Sequence, residues 1–157
     1  MELFLSHATA DADLVGLITS RLEPLGVVVY AAEHDNQAGT NVHAKVADAL
    51  RRCDLMVVLL TAAGYNSHYV HQEIGFAQRA NKLTIPMVTS VAARRGLGML
   101  EGIEYIQVDE DEPSEALQKL SHRVAHIKHS RQQRHDDLVV AALALVAIGI
   151  IIMALGD

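Results

Sequence analysis

Residues 54–60 read DLMVVLL, and after the aspartate six apolar residues follow without a break. A strand with one wet face alternates polar and apolar side chains. An unbroken run therefore describes a strand covered on both faces, as in a parallel sheet flanked by helices. The segments around it fit that arrangement. Residues 3–5 are a short apolar strand. Residues 11–25 then place Leu14, Val15, Leu17, Ile18, Leu22 and Leu25 near helical spacing, with Gly26 to close the helix. Residues 27–31 predict a second strand, 32–41 a polar loop, and Val42, Val46, Ala49 and Leu50 a helix capped by Thr40 or Asn41. Residues 69–80 predict a helix with Ile74 and Ala77 inward, and 84–88 a fourth strand whose Pro86 is tolerable near an edge. Residues 103–108 give a fifth strand, and 113–128 a helix with Leu117, Leu120, Val124 and Ile127 on one face. Strands alternating with helices predict an α/β chain with a flavodoxin-like, doubly wound, five-stranded parallel sheet. Ligands of such sheets sit beyond the carboxyl ends of the strands, here 6–11, 32–41, 61–73 and 89–100.

With 157 residues, half of them hydrophobic, the chain has material for about one domain. The formal charge of −6 argues against a protein that coats nucleic acid, since phosphate binding needs clustered Lys and Arg. A single cysteine, Cys53, excludes an internal disulfide framework and suits a reducing compartment. It precedes the central strand and is expected to be buried and inert. The apolar residues are not evenly spread. Residues 138–155 (LVVAALALVAIGIIIMAL) carry no polar side chain and as a helix would extend about 27 Å, close to a hydrocarbon core of ~30 Å. A C-terminal transmembrane helix is the expectation. Lys119, Arg123, Lys128, Arg131 and Arg134 precede it, which places the N-terminal domain in the cytoplasm. The expected organisation is a domain over 1–128, a polar juxtamembrane linker over 129–137 and a single membrane pass over 138–155.

Several occupants of this architecture are disfavoured by the loops. A phosphoacceptor receiver needs acidic residues where this chain has Ser6, His7 and Thr61. A dinucleotide-binding Rossmann turn needs three glycines where the chain reads SHATAD, and Gly96 and Gly98 lie in a late connection without the third. There is no Walker loop. His122, His126 and His129 share one side of the last helix, but no Cys or carboxylate completes a metal site, so no metal is expected.

The ordered set FLSH at 4–7, an Asp-rich helix start, AGTN at 38–41, DLMVVLLT at 54–61 and NSHYVHQE at 66–73 resembles a TIR domain over roughly residues 1–125. The resemblance is closest to bacterial members, with Tyr69-x-x-x-Glu73 standing where Trp-x-x-x-Glu is usual. It implies one of two roles. Some TIR domains are scaffolds that self-associate, and others cleave NAD⁺ to nicotinamide and ADP-ribose or a cyclised isomer. By resemblance Glu73 is the catalytic carboxylate, suited to stabilising an oxocarbenium-like state at the ribose. Ser6, His7, Ser67 and Tyr69 are implied as NAD⁺-binding residues. Plain turn and cap roles are open for Ser6, His7 and Ser67. The loop 32–41 matches the family's gating loop but carries Glu33 and Asp35 and no cation, so Lys45, helix amides or a neighbouring chain would meet the pyrophosphate.

The leading expectation is an inner-membrane, single-pass TIR enzyme using NAD⁺ as substrate and no cofactor. The resemblance is to the TIR component of Thoeris-type antiviral systems, with other TIR protomers and a downstream sensor of a nucleotide signal as partners. The alternatives are a non-enzymatic TIR scaffold, a nucleoside deoxyribosyltransferase or related N-glycosidase, and an apolar tail that breaches the membrane by itself.

Overall fold

The apolar run becomes strand β3 (Leu55–Leu60), and every one of its side chains is buried. The protein's structure, a computed structural model, describes residues 1–31 and 42–155, with side chains from 44 to 145 in the second stretch. The loop 32–41, with its expected gating role and its cap at Thr40 or Asn41, lies outside the described residues. The other strands are β1 (Glu2–Ser6), β2 (Val28–Ala31), β4 (Thr84–Thr89) and β5 (Ile106–Val108). They form one parallel sheet in the order β2-β1-β3-β4-β5. This is the flavodoxin-like order, and its direction reverses between β1 and β3.

The helices are α1 (Ala12–Leu22), α2 (Val42–Arg52), α3 (Ala62–Asn66), α4 (His68–Arg79), α5 (Ser90–Arg94) and α6 (Ser114–Leu155). Alternate residues of β3 point to opposite faces. Met56, Val58 and Leu60 join a cluster with Val46, Ala49 and Leu50 of α2 and Val70, Ile74 and Ala77 of α4. The helix expected to close at Gly26 ends as α1 followed by a 3-10 turn, with Gly26 in the left-handed region at φ 65°.

Two expectations about the sheet need correction. Pro86 lies in an interior strand, since β4 sits between β3 and β5. The Met56 amide donates to the Leu83 carbonyl, and parallel pairing then directs Ile85 and Met87 toward β3 and Pro86 toward the other side. Pairing with β5 begins only at Met87, so the ring nitrogen of Pro86 interrupts no ladder bond. The fifth strand is also shorter than 103–108, because Ile103 donates its amide to Leu100 in a turn and pairing starts at Ile106.

The chain divides into two units, Met1–Ser121 and His122–Asp157. The linker expected over 129–137 is helical, being part of α6. No Gly or Pro falls between Pro113 and Gly149 to stop a helix, and pairs such as Gln132 to Asp136 at 2.9 Å support one. Among the described residues no helix is long and apolar enough to cross a membrane, so the transmembrane helix expected over 138–155 finds no support there. The apolar side chains that are described, 138–145, account for about 12 Å of helix against a hydrocarbon core of ~30 Å.

Candidate functional site

The β1/β3 reversal is where the first loop after β1 and the end of β3 can be bridged. Ser6 ends β1 fully buried, and His7 follows it, also buried, with Nδ1 3.2 Å from the Leu5 carbonyl oxygen. Asp11 is buried at the start of α1. Its Oδ2 accepts the Ala8 amide at 3.2 Å and its Oδ1 accepts the Thr61 hydroxyl at 2.9 Å, across the reversal. The Thr61 oxygen accepts the Gly64 amide at 3.0 Å and so caps α3. Position 64 has no room for a side chain, since a Cβ there would stand 2.4 Å from the Leu59 carbonyl oxygen. These bonds hold the 6–11 loop and the end of β3 in one arrangement.

α4 begins at its cap Ser67, whose hydroxyl accepts the Val70 amide at 3.4 Å. Its buried positions are Val70, Glu73, Ile74 and Ala77, the i, i+3, i+4, i+7 set that faces a core. A carboxylate therefore occupies a core position, 2% exposed. Its Oε2 accepts the Ser6 hydroxyl at 2.5 Å. Burial pushes the Glu73 pKa from the ordinary 4.5 up to about 7, while the Ser6 hydrogen bond pulls it back down. Near neutrality the group is shared between its acid and its carboxylate, which suits it to act as either.

The sequence-predicted residues thus part ways. Ser6 and Glu73 are joined directly, and His7 is buried next to Ser6. Ser67 acts as a cap, and Tyr69 is half-buried one helical turn before Glu73. Lys45 is exposed on α2 and takes no part in the buried pair. Nothing in the sequence pattern marks Asp11, Thr61 and Gly64 as partners. An Asp at a helix start and a Thr at a strand end are common enough that only their mutual bond marks them. Nor does the sequence pattern mark Tyr65. Its hydroxyl donates to the Arg95 carbonyl at 3.2 Å, the Arg95 guanidinium lies 5.4 Å from its ring centre, and His71 Nε2 approaches its carbonyl at 2.6 Å. Among the described residues no group of three or more potential metal ligands occurs.

The TIR domain family model matches residues 3–121. The chain belongs to the TIR domain family. Solved structures agree on the fold. The TIR domain of the Toll-related receptor TRR-2 from Hydra magnipapillata is 12% identical, with a TM-score of 0.62 over 79% of this chain and 97% of that one. The TIR domains of the activated Roq1 resistosome are also 12% identical, at 0.58 over 78% and 98%. The CMP N-glycosidase BcmB of Clostridium botulinum is 26% identical, at 0.55 over 76% of this TIR chain and 98% of its own. A comparison with curated proteins gives no match.

Proposed function

We propose that this TIR domain is an N-glycosidase that cleaves NAD⁺ to nicotinamide and ADP-ribose or its cyclised isomer, with Glu73 as the catalytic carboxylate. The observation that carries the reading is the Ser6–Glu73 pair, a hydroxyl-bonded carboxylate placed at a core position beside the β1/β3 reversal. The likeness to an enzyme that acts on the N-glycosidic bond of CMP supports the reaction class. In NAD⁺ the pyridinium leaves with the C1′–N electron pair and needs no proton. The ionised Glu73 stabilises the oxocarbenium-like ribose, and water then adds to C1′ as its proton passes to the carboxylate. Ser6 holds Oε2. His7 and Tyr69 are proposed to contact the nucleotide, and Lys45 its pyrophosphate. Prokaryotic antiviral signalling, regulation by TIR self-association, and attachment to the cytoplasmic face of the inner membrane through the apolar run 138–155 belong to the same proposal.

The burial of Ser6 and Glu73 favours a second reading, a scaffold that acts only through TIR–TIR association. One experiment separates the two. NAD⁺ and CMP are incubated with the full chain at high density on liposomes, and products are identified by mass. Glu73→Gln is expected to lower nicotinamide release by at least ~100-fold. Nicotinamide release unaffected by Glu73→Gln removes Glu73 as the catalytic group. If neither nucleotide is cleaved although crosslinking shows assembled chains, the scaffold reading stands. For NAD⁺, kcat/KM is expected to rise with pH and level off above about 7, as Glu73 ionises. A fall above about 7 identifies a Glu73 acid that protonates the leaving base, the demand made by CMP and not by NAD⁺.

A further inference from the structure

Residues 74–100 carry Arg79, Lys82, Arg94 and Arg95 and no aspartate or glutamate, while residues 96–118 carry seven acidic residues, four of them consecutive at 109–112, and no lysine or arginine. The parallel sheet sends part of each charge to opposite ends. α2 and α4 run back against the strands, so their last turns, with Arg51 and Arg79, lie beside the starts of β3 and β4. Asp109 directly follows the last residue of β5, at the other end of the sheet. Between the two last turns lies a groove of about 330 Å³, lined by Ala47, Leu50 and Arg51 on one side and Phe76, Arg79 and Ala80 on the other. Much of the charge around it is already matched. Arg51 is paired with Asp48 at 2.6 Å, and Glu2 and Asp54 share the surroundings of Cys53 with Arg52 and Lys82. Arg79 is left over. Its guanidinium lies 5.3 Å from the centre of the Phe76 ring and its Nε donates to the Gly75 carbonyl at 3.4 Å, and among the described residues no carboxylate pairs with it. These contacts hold a guanidinium at an apolar groove with its terminal nitrogens still able to donate.

Residues 109–112 are all exposed, and among the described residues no cation pairs with them. Asp109 accepts the Asp111 amide at 3.0 Å and Glu112 accepts the Ser114 hydroxyl at 2.6 Å, which shapes the loop without neutralising it. One chain cannot join its own two halves, because strands of five or six residues keep them roughly 17–20 Å apart. Every copy nevertheless carries both. We propose that the groove between α2 and α4 receives the acidic segment 109–112 of a second copy, with Arg79 as the anchoring cation. The contact is head-to-tail, so each added copy presents a fresh groove at one end and a fresh acidic segment at the other, and rows without a fixed length form. It rests on the TIR self-association put forward above and assigns a pair of surfaces to it.

The test is sedimentation of the full chain in mild detergent over a range of concentrations, with two dyes so that unlike chains are told apart. The wild type is expected to form a concentration-dependent series of oligomers that high salt dissolves. R79E and D111K/E112K are each expected to weaken association at least ~10-fold, because a like-charge contact replaces an attractive one. R94Q/R95Q, equal to R79E in charge change, is expected to leave association near the wild-type value. The mixture of variants decides. A head-to-tail contact requires that R79E and D111K/E112K, each defective alone, form mixed pairs when combined, because one supplies an intact acidic segment and the other an intact groove. Wild-type oligomers that persist in R79E, or variants that fail to pair when mixed, overturn the groove contact and leave self-association through another surface. A wild type that stays monomeric overturns both. NAD⁺ cleavage is not read in this test, so its absence elsewhere does not bear on the outcome.

Discussion

β3 and residues 138–145 of α6 are both unbroken apolar runs, yet their side chains have opposite fates. In β3 all six are buried, while Leu138, Val140, Leu143 and Leu145 remain well over half exposed. Apolar sequence expresses a preference for leaving water, and only a covering surface satisfies it. β3 is covered because its alternate side chains meet α2 and α4 on one face, while the strand is flanked by β1 and β4. Among the described residues, the apolar stretch of α6 has no comparable cover.

The comparison breaks most directly by truncation. Leu59→Ala in β3 is expected to cost about 2–5 kcal/mol by chemical denaturation, through lost burial and the cavity left behind. The same change at Leu143 is expected to stay within about 0.5 kcal/mol in detergent-free, lipid-free solution. A large loss at Leu143 would mean that the stretch is covered by another chain.

Glu73 sharpens the comparison from the polar side, because it sits inside the covered region at a cost. Its raised folded pKa means that the native state binds more protons than the unfolded state between about 4.5 and 7, so stability falls as pH rises across that window. The shift corresponds to a penalty on the order of 3 kcal/mol above pH 7. Glu73→Gln is therefore expected to stabilise the protein by up to about that amount at pH 8 and to give no such gain at pH 4. Equal denaturation midpoints for the two proteins at both pH values would show that the carboxylate is solvated in the folded state.

Thr61→Val removes the hydroxyl that joins Asp11 to the Gly64 amide, and a loss of about 1–3 kcal/mol is expected, with Thr61→Ser retaining most of the stability. The smallest of these effects is Ser67→Ala, where loss of the α4 cap is expected to cost about 1 kcal/mol by thermal or denaturant melting.

Much of this was legible in the sequence, and the failures have identifiable causes. β3, the α4 positions Ile74 and Ala77, and Leu14, Ile18 and Leu22 of α1 follow from periodicity, because burial leaves a local record in residue order, whereas Leu17, at helical spacing too, is 45% exposed. An ordered set of motifs points to Ser6 and Glu73, but their contact spans 67 positions and carries no local signature. Strand order is a tertiary property, so residue order alone does not place Pro86 in an interior strand. The composition of 129–137 suggests a polar linker, but with no Gly or Pro there is nothing in it to end the helix.

Residue order by itself determined the alternation of strands and helices, the covered central strand and the family resemblance. The first two are patterns of side chains within a few turns or one strand of each other, and the resemblance is the order of several such short patterns along the chain. Tertiary structure decided that Glu73 shares a hydrogen bond with Ser6 and that Asp11 and Thr61 bridge the reversal of the sheet. It decided these because a carboxylate's partners and its pKa depend on what the fold brings around it and on how much water the fold removes.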